Sequence, residues 1–226
     1  MSDTHGSENY VDQAREAASV VNAKAVFLLG DVGPILDYFL DTFKDMDVFI
    51  IPGNHDSRRK LKRAVAKYPN AKIVDGEIIH YDNVYIVAKG FGHSMVAGWK
   101  YAHKLASLLE EATSGGHYLN RVILMTHCGG GHLHKLAHFL EFGHRWATEL
   151  YNGKILQIHG HEHRWGFMYS SLSYRLFKKL KETTSYKGNL VWNAAQKVLV
   201  INTGLIFDKA NVREFKNYRQ WIREMY

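Results

Sequence analysis

The chain is predicted to be an α/β protein built on parallel strands, and three features of residues 1–163 predict it. Amphipathic helical stretches alternate with short apolar runs, the first two such units repeat one strand-and-helix plan, and four apolar runs end directly in residues able to ligate a metal. Parallel strands joined by helical crossovers follow from that spacing.

Each element has a local reason. Asn9 to Val21 carries alanine and valine at helical spacing, and Ala25 to Leu29 is an apolar run that stops at Gly30-Asp31. Pro34 suits the first turn of a helix running to about Lys44, because the missing N–H is unbonded there in any case. Val48 to Ile51 leads into Pro52-Gly-Asn-His-Asp56, and a basic helix opens at Arg58-Arg59. Lys72–Val74, Glu77–Tyr81 and Val84–Ala88 read as a strand followed by a hairpin that turns at Asp82-Asn83. Tyr101 to Thr113 is helical, Arg121 to Thr126 is a strand ending at His127, and Lys154 to Ile158 is a strand running into His159-Gly-His-Glu-His163. Gly129-Gly-Gly131 breaks the chain before a further helical stretch from about Leu133 to Tyr151.

At 226 residues the chain suits a single domain, 1–226, and 46% hydrophobic with 23% charged residues is ordinary globular usage. One cysteine, Cys128, forms no internal disulfide, which makes the cytoplasm the expected compartment; next to His127 it reads as packing and not as a nucleophile. No apolar run has the length of a membrane span and the N-terminus lacks signal-peptide regions. Charge is uneven: residues 164–226 hold 12 Lys+Arg against 4 Asp+Glu, a net of +8, whereas residues 1–163 net −1. The C-terminal part is thus a basic module suited to a polyanion such as a nucleic acid, or simply a solvated surface.

The strand-end residues are Asp31, Asn54-His55, His127, and His161 with His163; Asp3 and His5 make a fifth such end. In an open α/β sheet such ends converge on one rim, outside the carboxyl ends of the strands. A set of carboxylates, one carboxamide and imidazoles, without cysteine, suits borderline divalent ions such as Mn, Fe, Zn, Co or Ni better than Ca.

Five motifs in this order, Asp3-Thr-His5, Gly30-Asp31, Gly53-Asn-His-Asp56, His127 and Gly160-His-Glu-His163, closely resemble the pattern of the calcineurin-like metallophosphoesterase family. The resemblance covers residues 1–163, together with Val198 to Gly204, which looks like the family's closing strand. It implies a four-layer αββα sandwich and two divalent ions, with Mn the first choice. Asp3, His5 and His163 would bind one ion, Asn54, His127 and His161 the other, and Asp31 would bridge. His55 would protonate the leaving oxygen or stabilise transition-state charge, with Asp56 orienting its ring. Two departures accompany the match. The family has an apolar strand before its first motif, where only Met1-Ser2 stand here, so either the start lies downstream of the true one or the fold tolerates a short edge. An insertion of about residues 164–197 separates His163 from the closing strand.

Within that insertion Tyr169, Leu172, Leu176, Phe177 and Leu180 share one helical face and Lys178, Lys179 and Lys181 lie elsewhere, so an inserted basic helix is expected as a cap, a homodimer contact, a nucleic-acid contact or a membrane-surface contact. In the tail, about 209–226, Val212, Phe215, Arg219 and Ile222 give an incomplete apolar stripe. His132, His134, His138 and His144 are read as histidines of a capping helix and not as a third metal site, and His159 as a core or supporting residue. Arg58 and Arg59 are candidate contacts to substrate phosphate. The family match implies phosphoester hydrolysis, with a phosphodiester, nucleic acid or nucleotide, ahead of a phosphomonoester, and a non-catalytic binding module third. Protein phosphatases of the superfamily carry Gly-Asp-x-Val-Asp-Arg-Gly; Gly30-Asp-Val-Gly-Pro34 here argues against that branch.

Overall fold

The structure, a computed structural model, describes residues 1–82, 84–90, 104–105, 107–112, 122–127, 155–161, 185–186, 189–193, 198–201 and 212–215. Its first half is the predicted repeat. Helix α1 (Glu8–Val20) precedes β1 (Ala25–Leu28); a 3-10 turn at Gly33–Ile35, with Pro34 in its first positions, opens α2 (Leu36–Thr42); β2 (Asp47–Ile50), α3 (Arg58–Val65) and β3 (Ala71–Ile73) follow. The three strands form a parallel sheet in the order β1-β2-β3, with Leu28 opposite Ile50 and Ile50 opposite Ile73.

The second sheet holds β4 (Glu77–Tyr81), β5 (Val84–Lys89), β6 (Val122–Thr126), β7 (Ile155–His159), β8 (Ser185–Tyr186) and β9 (Asn189–Asn193), in the order β4-β5-β6-β7-β9-β8. β5, β6, β7 and β9 run parallel, and the hairpins β4-β5 and β8-β9 close the sheet at its two ends. The expected hairpin turn is present, with Asp82 at a positive φ of 54°.

Alternation along the strands explains the layering. Phe27, Leu29, Phe49 and Ile51 face Ile86, Ala88, Ile123, Met125 and Ile158 of the second sheet in one apolar cluster. The opposite face of the first sheet, Leu28, Val48 and Ile50, packs on Val11, Ala14 and Ala18 of α1, Phe39 and Leu40 of α2, and Leu61 and Ala64 of α3. Phe39 is fully buried, and truncating such a ring to alanine costs about 3–5 kcal/mol. On the far face of the second sheet Val87, Val122 and Leu124 are also buried. A helical stretch at 104–105 and 107–112 buries Leu105, Leu108, Leu109 and Ala112, the spacing of one helix face. The expected sandwich is therefore present as helix, sheet, sheet and helix.

Three elements differ in place from the sequence reading. Asn189–Asn193, assigned to the insertion, is a strand paired with β7. The closing strand exists as β10 (Val198–Ile201), but its partner is β11 (Val212–Phe215), and its backbone runs beside α1. Val212 and Phe215 therefore belong to a strand and not to a helical stripe; a stretch of four residues fits either period, and pairing decides. The predicted helices 133–151 and 169–181 lie outside the described residues. Among the described residues no helix is long and apolar enough to cross a membrane.

Met1 to Asp3 run beside β1. The Met1 ammonium donates to Phe27 O at 2.8 Å, Leu29 N–H donates to Met1 O at 2.9 Å, and Asp3 N–H donates to Gly30 O at 3.0 Å. Two residues thus extend the first sheet beyond β1 and deliver Asp3 to the rim.

Candidate metal centre

The rim is assembled from chain segments that leave the strands at one level. Thr126 of β6 is in register with His159 of β7, so His127 and Gly160-His161 emerge side by side, and Gly160 N–H donates to His127 O at 3.0 Å. From the first sheet come Gly30-Asp31 after β1 and Gly53-Asn-His-Asp56 after β2. Close approach of these turns needs glycine: a Cβ at Gly53 would run into the Asp31 carboxylate, and one at Gly160 into Ser2 Oγ and Asp3 Oδ2.

Two groups of donor atoms result, one from Asp3, His5 and Asp31 and one from Asp31, His127 and His161, each with its atoms within 4.8 Å of one another. Asp31 belongs to both. Asp3 and Asp31 are buried, as is His127, while His5 is exposed and His161 half-buried. Four of these residues, Asp3, His5, Asp31 and His161, adopt left-handed backbone, with φ of 59°, 45°, 56° and 67°. Each such non-glycine residue costs about 1–3 kcal/mol, a strain that persists at sites where position matters more than local stability.

The hydrogen bonds show what each donor atom is left facing. His127 Nδ1 lies 2.6 Å from Leu29 O, so the ring donates there. In the neutral ring Nε2 then points a lone pair at Asn54 Oδ1, 2.8 Å away, and at Asp31 Oδ2, 3.5 Å away. Three acceptors turned on one point repel one another unless a proton or a cation sits between them. Burial drives the His127 pKa down, but the hydrogen bond to Asp31 and the charges of Asp3 and Asp31 outweigh it and hold it above the ordinary histidine value. For Asp31 burial acts upward; hydrogen bonds from His127 and the His55 backbone, with the charges of both rings, leave it below the ordinary carboxylate value. A bound dication satisfies the same three acceptors, so the residues fit a metal.

Asp3 uses Oδ2 for structure, accepting from Ser2 Oγ at 2.5 Å and from His161 N–H at 2.8 Å, and its Oδ1 lies 3.8 Å from His5 Nε2. Asn54 is half-buried and His55 exposed; the His55 N–H donates to Asp31 Oδ1 at 2.9 Å, and its ring meets the His5 ring edge-on with centroids 5.7 Å apart. The structure therefore gathers Asp3, His5, Asp31, Asn54, His55, His127 and His161. His163, Cys128 and the histidines at 132, 134, 138 and 144 lie outside the described residues. His159 is fully buried with Nδ1 3.0 Å from Gly160 O, and burial pushes its pKa down to about 4, so the ring is neutral at pH 7.

One supporting residue has no signal in the sequence beyond adjacency: Ser2 anchors Asp3. Asp56, expected to orient the His55 ring, accepts with Oδ2 from the backbone N–H of Asp31 at 2.7 Å and of Gly53 at 2.9 Å. One carboxylate oxygen thereby ties the turn after β1 to the turn after β2.

Residues 1–139 match the family model of the calcineurin-like phosphoesterase superfamily domain, more than half of the 226 residues. The chain belongs to that family. Among solved structures, one that is 9% identical covers 95% of this chain and 96% of its own with a TM-score of 0.55, a likeness of fold alone. Weaker likenesses are to an archaeal phosphodiesterase (16% identity, 95% and 96% covered, TM-score 0.49) and to a protein of unknown function from Aquifex aeolicus (14% identity, 100% and 97% covered, TM-score 0.35), and neither carries an argument. No curated protein matches the chain. As a calcineurin-like phosphoesterase it falls in a family of phosphoester hydrolases whose members bind divalent metals, and its converging donors are of the matching kind.

Proposed function

We propose that this calcineurin-like phosphoesterase hydrolyses phosphodiesters with two divalent cations. The observation that carries the reading is the pair of donor groups that share Asp31. In it Asp3 and His5, joined by His163, hold one ion; Asn54, His127 and His161 hold the other; and Asp31 bridges. Mn is the first choice and Fe, Zn, Co and Ni suit the same donors. When bound, two such ions neutralise phosphate charge and lower the pKa of water to the neutral range.

The chain's own residues do the rest. Leu29 O and Ser2 Oγ fix His127 and Asp3, while Asp56 holds the Asp31 turn. His55 is exposed next to the donor set and has its backbone anchored on Asp31, and its ring is assigned the role of proton donor to the leaving oxygen. Arg58 and Arg59, exposed at the start of α3, contact the anionic part of the substrate. The net +8 of residues 164–226 favours a nucleic-acid or nucleotide diester.

Hydrolysis of a 4-nitrophenyl diester beside 4-nitrophenyl phosphate, across Mn, Fe, Zn, Co and Ni, tests this. Preferred turnover of the diester supports it, preferred turnover of the monoester makes the protein a phosphomonoesterase, and no turnover with any metal leaves a binding module. His55→Ala is expected to lower kcat about 10²–10⁴-fold with metal content unchanged, and less for an activated leaving group. Equal losses for activated and poor leaving groups argue against proton donation.

A further inference from the structure

The helices that cover the first sheet divide their charge unevenly. α1 carries Glu8, Asp12 and Glu16 against Arg15, a net of −2, and α2 carries Asp37 and Asp41 with no base, again −2. α3 carries Arg58, Arg59, Lys60, Lys62 and Arg63 with no acid, a net of +5. Arg58 is held by Asp75 at 2.6 Å, and Lys67, just beyond the helix, by Asp37 at 3.0 Å. Arg59, Lys60, Lys62 and Arg63 are exposed and form no ion pair among the described residues. Leu61 and Ala64 pack into the core, and at about 100° per residue Arg59, Lys62 and Arg63 fall on the opposite face.

This ridge works against its own helix. Arg59 stands three residues from Lys62 and four from Arg63, a spacing at which like charges meet and repel. Cations in the first turn also oppose the helix dipole. A merely solubilising surface mixes its signs, as α1 does with Asp12, Arg15 and Glu16. A ridge of one sign, kept against local helix stability, fits a surface that meets a polyanion.

Its place in the fold narrows the partner. α3 leaves the rim directly: its N-cap is Ser57, two residues after His55, and the Ser57 hydroxyl accepts from Lys60 N–H at 3.5 Å. The helix rises about 12 Å, so Arg59 stands at the rim end and Arg63 about 6 Å further along. One nucleic-acid strand rises about 3.4 Å per phosphate, and the ridge matches roughly three to four of them. Guanidinium forks suit phosphate. A membrane surface fits less well, because the apolar face a bilayer would need is already packed on Phe39, Val48 and Ile50. We propose that Arg59, Lys62 and Arg63 bind the backbone of a nucleic-acid strand whose scissile diester lies at the metal centre, so that oligonucleotides and not lone nucleotides are the substrates. This rests on the phosphoesterase reading and names the substrate class of that same centre.

The test is the salt dependence of binding, read by fluorescence anisotropy of a labelled oligothymidylate on chelator-treated full-length protein. Each contact to a single strand contributes about 0.7 to the slope of log affinity against log salt. Lys62→Gln with Arg63→Gln should therefore lower the slope by about 1.4, and adding Arg59→Gln by about 2 in all. Glutamine keeps the helix propensity of the residues it replaces, and Tm checks folding. A control, Lys24→Gln with Lys44→Gln, removes equal charge from exposed positions ahead of β1 and β2, at the end of the sheet away from the rim, and should leave the slope unchanged. A slope unchanged in the α3 variants, or lowered as much by the control, overturns the proposal. So does loss of binding to anionic phospholipid vesicles with oligonucleotide binding intact, which would make the ridge a membrane contact. The chelated protein needs no catalysis, so failure to hydrolyse either nitrophenyl ester would sink the phosphoesterase reading and leave the oligonucleotide site standing.

Discussion

The two donor groups that share Asp31 are built differently. The group of Asp31, His127 and His161 stands on two adjacent central strands, with His127 fully buried and locked by Leu29 O from the opposite sheet. Among the described residues the group of Asp3, His5 and Asp31 lies at the edge of the first sheet, where Met1 to Asp3 are tied to β1 by a few backbone bonds and His5 is exposed. A ligand on a central strand is positioned by the packing of two sheets, whereas a ligand on an edge depends on its immediate neighbours. The edge half should therefore bind its ion more weakly and release it first to a chelator.

Asp31→Asn gives the largest expected effect, because it removes the charge both halves share. Metal content of the purified variant should fall from two ions towards none, with activity lost alongside. A variant that keeps two ions and full turnover would sink the bridging assignment. His127→Ala and His5→Ala then separate the halves. Each should lose one ion, but only His127→Ala empties a fully buried position and loses the bond to Leu29 O, a carbonyl that keeps the Ser2 hydroxyl as donor; the lost hydrogen bond alone is worth about 1 kcal/mol. His5→Ala removes an exposed side chain and should cost less than His127→Ala. Denaturant titration of the metal-free proteins reads the difference, and equal destabilisation would break the contrast.

Asp56 comes next in size, and it bears on both halves through Asp31. Losing the N–H contacts to Asp31 and Gly53 frees a turn that holds left-handed backbone. Asp56→Ala should weaken both ions by about 10–100-fold, the range for supporting residues of metal sites. Asp56→Asn keeps an accepting oxygen and should recover most of that loss. Were Asp56 to act on the His55 ring instead, metal affinity would hold and kcat alone would fall.

Much of this was legible in the sequence for a physical reason. Strands of parallel sheets are apolar runs, and residues that follow such a run reach the carboxyl rim whatever their neighbours are. Hence the position of Asp31, Asn54, His127 and His161 after such runs is readable from the sequence. What escaped depends on pairing and backbone shape. Val212–Phe215 is a strand because it pairs with Val198–Ile201, and four residues carry no decisive period. The left-handed backbone at Asp3, His5, Asp31 and His161 has no glycine to announce it. The bond from the Asp31 N–H to Asp56 Oδ2 joins two turns 25 residues apart, which no local pattern announces.

Ser2 provides the finest test, because there the two halves touch. Its hydroxyl is 2.5 Å from Asp3 Oδ2, the oxygen that also accepts from His161 N–H at 2.8 Å. If the edge half depends on its immediate neighbours, Ser2→Ala should weaken the ion held by Asp3 and His5 about tenfold, the low end for a supporting hydrogen bond, and leave the other unchanged. Titrating Mn into the metal-free variant and resolving the two affinities measures this. The His161 backbone bond to Asp3 offers the alternative outcome. Should both affinities drop together, Ser2 would be holding Asp3 and His161 as one unit, and the edge half would owe its geometry to β7 as much as the central half does.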